Sequence, residues 1–186
     1  MTEVKRSAKG LGVLGLVAAI LFAFIWIVAA NADPLWILGE NTLSDMGTSD
    51  VELTKNLFNY GCMLTGILIF IYGAGKTVVS EKAGAASGIL LCAASVFLFC
   101  IGIYTNDYYV HSYFAVAFFV LLAFAVLCGG IDDGKNGRML NAAVAACVLF
   151  SSLAVLAAMD LAMGEAVAVA MGLIWLAADG VKYILS

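Results

Sequence analysis

Six apolar stretches of about 20 residues each, almost free of charge, restrict the fold of this chain more than any other feature. At 1.5 Å per residue, a helix of that length covers about 30 Å, the thickness of bilayer hydrocarbon. An α-helix also satisfies every backbone N–H and C=O inside the segment, which hydrocarbon demands. The stretches fall at about 10–32, 56–75, 84–105, 112–130, 139–159 and 165–184. Only 12% of the 186 residues are charged, against roughly 25% in soluble domains. A single proline, Pro34, and short polar joins leave no room for a linker. The expectation is one transmembrane domain over 1–186, an all-α polytopic bundle of six helices. Ala30-Asn31-Ala32 has the small-x-small pattern of a signal-peptidase site. The run before it, however, exceeds the roughly 7–15 residues of a signal core, so it counts as helix 1.

Basic residues set the expected orientation. Lys5, Arg6, Lys9, Lys76, Lys82, Lys135, Arg138 and Lys182 fall on one side of the spans, leaving Lys55 on the other. Positive loops stay cytoplasmic, so both termini should be cytoplasmic, in a multi-pass plasma membrane protein. Asp33, Glu40, Asp45, Asp50, Glu52, Asp107, Asp160 and Glu165 then make the outer face acidic. Trp36, Tyr60, Tyr104, Tyr108, Tyr109 and Tyr113 lie near that boundary, where interfacial aromatics belong.

Cofactor chemistry finds little support. The five cysteines, Cys62, Cys92, Cys100, Cys128 and Cys147, stand singly in apolar segments, and there is one histidine. Zinc and iron–sulfur sites need three or four such ligands, so no metal or cofactor is expected. The thiols read as small core residues, with Cys62 and Cys100 near enough to one face to allow a disulfide. With charges sorted by side of the membrane, no nucleic-acid partner is expected.

Polar side chains beside hydrocarbon are expensive and point to function by default. The seam Asn41-Thr42-Leu43-Ser44-Asp45-Met46-Gly47 joins the first two spans and carries Asn41, Ser44 and Asp45. Asn56 and Asn59 lie one helical turn apart at the start of helix 2. Asp107 and His111 bracket the second outer turn, and Glu165 reads as the opening carboxylate of helix 6. All belong to the outer ends of helices and could converge on one pocket. There His111 could act as a base and Ser44 as its nucleophile, with Asp45 and Glu165 as further candidates. Each residue also has a structural role open to it: Asp45 bonding loop amides, Asn59 a neighbouring helix, Glu165 a helix start. Asp132-Asp133-Gly134-Lys135-Asn136-Gly137 reads as a turn, since it lacks the other ligands of a calcium loop. Asp179 and Lys182 read as a local pair near the inner end of helix 6.

Five of these features together carry a resemblance. Asn41-x-Leu43-Ser44-Asp45-Met46-Gly47, Asn56-Leu57-Phe58-Asn59-x-Gly61, Gly102-Ile103-Tyr104 before His111, Gly164-Glu165 and Trp175 resemble the six-helix membrane proteins of domain of unknown function 998. The family's usual Gly-Ile-Phe-Pro before the histidine reads Gly102-Ile103-Tyr104-Thr105 here. The resemblance implies six spans and favours Ser44, Asp45, Asn59, His111 and Glu165 as a set, and it implies no reaction.

The leading expectation is an outward-facing polar pocket that binds, and could modify, a lipid or amphiphile. A structural or accessory subunit of a membrane complex is the alternative, with homo-oligomers or other membrane subunits as partners. A small transporter ranks below both, because the helix centres look nearly free of ionisable residues.

Overall fold

The computed structural model describes the backbone of residues 2–185 and the side chains of residues 8–185; Lys5 and Arg6 lie outside those side chains. Its helices are α1 (Thr2–Ala32), α2 (Glu52–Val79), α3 (Lys82–Ile103), α4 (His111–Lys135), α5 (Met139–Ala158) and α6 (Leu161–Leu185), with a 3-10 turn at Leu43–Thr48. All six long helices have the length and hydropathy to cross a membrane.

Each helix packs on the next in sequence, and α6 returns to α1, so the six close into a ring. Lipid offers no hydrophobic force between helices, and small residues therefore decide how closely they approach. A side chain on Gly180 would begin 2.7 Å from the Gly12 carbonyl oxygen, and one on Gly73 would begin 2.8 Å from that of Gly88. These glycines set the α1–α6 and α2–α3 contacts. Large apolar side chains such as Ile20, Phe24, Phe70 and Phe150 are exposed on the ring's outside, where acyl chains would cover them.

The α1–α2 connection folds down onto the bundle. Leu43 and Met46 are fully buried among core side chains of the helices. Removing such side chains from interfacial water is worth about 1.5–3 kcal/mol each. Around them, Trp36 donates to the Thr42 carbonyl at 2.8 Å and Thr54 to the Ala29 carbonyl at 2.9 Å. Asp33 accepts from the Leu35 N–H and from the Ser49 hydroxyl. The Ser49 bond, then the Leu35 amide, hold the Asp33 carboxyl below its ordinary range.

Several helix ends differ from their expected positions: α1 begins at Thr2 and α2 at Glu52, so Asn56 lies in the second turn of α2 and not at its start. α2 continues to Val79, which carries Lys76 out of the expected loop and into the bundle. α4 continues to Lys135, so Asp132 and Asp133 form its last turn, and the turn proper is Asn136-Gly137, with Gly137 at φ +74°. α6 begins at Leu161, which puts Glu165 in its second turn. Asp160 opens the helix instead, its carboxylate accepting the Met163 N–H at 2.9 Å. The cysteines are free, and Cys62 alone of the five is buried; Cys147 is exposed. The core-thiol expectation therefore fails for the other four.

Candidate functional site

The seam, α4 and α6 meet at Ser44. His111 is the first residue of α4, and its Nε2 lies 2.9 Å from Ser44 Oγ. Ser44 Oγ also lies 3.1 Å from Glu165 Oε1, while Glu165 Oε2 accepts the Leu43 N–H at 3.0 Å. On the far side of the imidazole, Nδ1 is 2.6 Å from the Tyr104 carbonyl oxygen. Ser44 and His111 are both buried.

Donor counting fixes the logic of this chain. A carbonyl only accepts, so His111 Nδ1 carries a hydrogen. Ser44 has one hydroxyl hydrogen and two flanking partners. The links close in two ways. Either protonated Glu165 donates to Ser44, which donates to a neutral imidazole, or imidazolium donates to Ser44, which donates to a carboxylate. Both arrangements hold the same protons, and each places Ser44 between an acid and a base.

The next turn of the seam extends the site. Asp45 accepts the Thr42 N–H and the Asn106 amide at 2.8 Å each, which fastens the 3-10 turn to the α3–α4 connection. The Thr42 hydroxyl oxygen is buried, and its proton finds no acceptor in the protein. Thr42, Ser44, Asp45, Asn106, His111 and Glu165 line one end of a cavity of about 420 Å³. Ser112 of α4, Leu156 near the end of α5 and Leu161 at the start of α6 flank that end, and Ala115, Val116, Phe119 and Val120 of α4 with Ala168 of α6 line the deeper, apolar part. Polar groups at one end and hydrocarbon along the rest make an amphipathic slot.

The other predicted site residues lie elsewhere. Asn59 donates to the Gly47 carbonyl at 3.0 Å and braces the seam from α2. Asn41 accepts the Ile37 N–H at 3.0 Å within its own loop. Asn56 and Asp107 are exposed and line no part of this cavity.

A second polar cluster, at the opposite end of the bundle, escaped the sequence reading. Lys76 and Asp179 are each 1% exposed and form an ion pair. Tyr72 donates to the same Asp179 oxygen at 2.7 Å, and Lys182 donates to the other. Lys182 also reaches Asp133 at 3.0 Å, and Arg138 joins Asp133 and Asp132 at 2.6 Å each. The Lys76 ammonium lies 4.9 Å from the centre of the Trp175 ring. Asp179 and Lys182 thus do pair, but inside a network that ties α2, α4 and α6 together. The cations Lys76, Lys182 and Arg138 balance Asp132, Asp133 and Asp179, which leaves no spare charge for a ligand. The signal available in the sequence was a lysine and an aspartate set among apolar residues of two spans.

Among the described residues, no group of three or more His, Cys, Asp or Glu side chains is arranged to hold a metal ion. A family model described as "Protein of unknown function (DUF998)" matches residues 16–182. Neither the curated proteins nor the solved structures compared with the chain give a match. The chain belongs to the DUF998 family of multi-span membrane proteins.

Proposed function

Starting from membership of a family without an assigned activity, we propose that this protein binds a membrane lipid or similar amphiphile in the slot between α4, α5 and α6. The single observation that carries the reading is the cavity's sorted lining. Ser44, Asp45, Asn106, His111 and Glu165 gather at one end, and only the apolar Ala115, Val116, Phe119, Val120 and Ala168 line the part deeper in the bundle. A ligand with a polar head and an alkyl tail matches both halves. A wholly polar solute would leave the apolar length unmatched. The volume of about 420 Å³ falls within the usual range of ligand sites.

The polar end faces outward in this reading. Lys9, Lys76, Lys82, Lys135, Arg138 and Lys182 all belong to the end of the bundle away from Ser44, and positive residues favour the cytoplasm. In a cysteine-free background, Asp50→Cys should react with an impermeant thiol reagent applied to intact cells, and Lys135→Cys should not.

Native mass spectrometry in mild detergent tests the binding. Wild-type protein should carry one amphiphile class, and His111→Ala should carry at least about tenfold less, since 1.4 kcal/mol is one decade. Equal loading of the two proteins, or none on wild type, would refute the reading.

A further inference from the structure

We infer that the site is also catalytic, and that Ser44 accepts the acyl group of an ester-linked amphiphile. The inference rests on the binding reading above and adds chemistry to it. Three observations support it. Ser44 Oγ and His111 Nε2 are 2.9 Å apart, the separation at which an imidazole takes a hydroxyl proton during attack. The Tyr104 carbonyl, 2.6 Å from Nδ1, holds the ring with Nε2 toward Ser44 and favours the positive charge that develops on it. Finally, the apolar length of the cavity starts beside the serine, where an acyl chain attached to a bound ester carbonyl would run.

The step balances without any oxidant or metal. Ser44 Oγ bonds to the acyl carbon as its proton passes to His111 Nε2. The carbonyl oxygen gains negative charge in the tetrahedral intermediate. The intermediate collapses, the ester C–O bond breaks, and the alcohol leaves with the proton from Nε2. Water, or the hydroxyl of a second lipid, then attacks the acyl-serine and gives its proton to Nε2. Cleavage of that ester releases a fatty acid or a new ester, and the proton returns to Ser44 Oγ. Glu165 is a positioning residue here: with Leu43 it fixes the seam so that Ser44 faces the imidazole.

The experiment uses full-length protein in mild detergent and two fluorophosphonate probes, one with a dodecyl chain and one with a methyl group. Ser44 attack on phosphorus expels fluoride and leaves a phosphonyl adduct, located by peptide mass spectrometry. Dodecyl probe should label wild type once, on Ser44, at least about tenfold faster than the methyl probe. His111→Gln should slow labelling at least about a hundredfold, the usual scale for loss of a general base. Ser152→Ala, on α5 and outside the cavity lining, should label at the wild-type rate. Because the wild-type peptide map decides the matter, folding of the variants is not critical. An unlabelled Ser44, or an adduct on another residue, overturns the catalytic inference while leaving amphiphile binding to its own test. Ser44 labelled equally fast by both probes supports the nucleophile and overturns the amphiphile reading.

Discussion

Lys76 and Asp179 face each other from α2 and α6 with their charged groups 2.5 Å apart, each 1% exposed to the surface. Taking two charges out of water costs several kcal/mol per ion, and mutual attraction with further hydrogen bonds offsets it. Tyr72, Lys182 and Trp175 supply those further contacts. Removing one partner should therefore hurt far more than removing both. Asp179→Asn should destabilise the folded protein by about 3–5 kcal/mol, whereas Lys76→Met with Asp179→Leu should recover much of that loss. Thermal unfolding of the three proteins in one detergent checks the order. Equal losses in single and double variants would show that Tyr72 and Lys182, and not Lys76 alone, depend on the Asp179 carboxylate.

Glu165 gives a second, sharper comparison. Its carboxylate accepts the Leu43 N–H and meets Ser44 Oγ, so a glutamine can take over both contacts. The amide oxygen would accept from Leu43, and the NH₂ would donate to Ser44, leaving the Ser44 hydrogen for His111. Glu165→Gln should melt close to wild type. Glu165→Ala leaves a buried N–H and a hydroxyl without that partner and should lose about 1–3 kcal/mol. A glutamine variant as unstable as the alanine variant would mean that charge, not hydrogen bonding, holds the seam.

Asp33 makes stability depend on acid. Hydrogen bonds from Ser49 and Leu35 lower its folded pKa below the ordinary 3.8. A depressed carboxyl contributes stability above its unfolded pKa and loses it as pH falls through the folded value. Moving from pH 7 to pH 3 should thus lower the melting temperature of wild type more than that of Asp33→Asn. Parallel acid responses would remove Asp33 from the account.

The parts of the fold legible in the sequence were those governed by local composition. Apolar length marks a span wherever its neighbours lie, so six helices could be counted. Ser44, His111 and Glu165 could be grouped because alternating spans carry their three helix or loop ends to one side. Rotation about a helix axis was not legible. Asn56 and Asn59 are three residues, roughly 300°, apart. The remaining offset leaves Asn59 against Gly47 and Asn56 exposed. Lys76 was hidden for another reason. A lysine at the end of an apolar window reads as a loop, and what keeps it helical and buried is Asp179, 103 residues away. Glu165 was placed at a helix start because nothing local distinguishes it from Asp160, which caps α6.

The last prediction separates the slot from its hydrogen bonds. Variants at His111 or Glu165 change polar contacts and seam stability together, so a lost ligand has two explanations there. Ala168 lines the apolar length of the cavity and carries no hydrogen-bonding side chain. Ala168→Trp adds an indole to a space of about 420 Å³ and leaves Ser44, His111, Asp45 and Glu165 as they are. If an alkyl tail lies there, the indole takes its place. Amphiphile loading, read by native mass spectrometry, should fall at least about tenfold, equivalent to 1.4 kcal/mol. The melting temperature should hold or rise, because filling a void restores contacts its lining lacks. Ile20→Trp, on the exposed outer face of α1, is the control and should change neither. If Ala168→Trp keeps the full load, the ligand tail does not run along α6, and the slot is not the site.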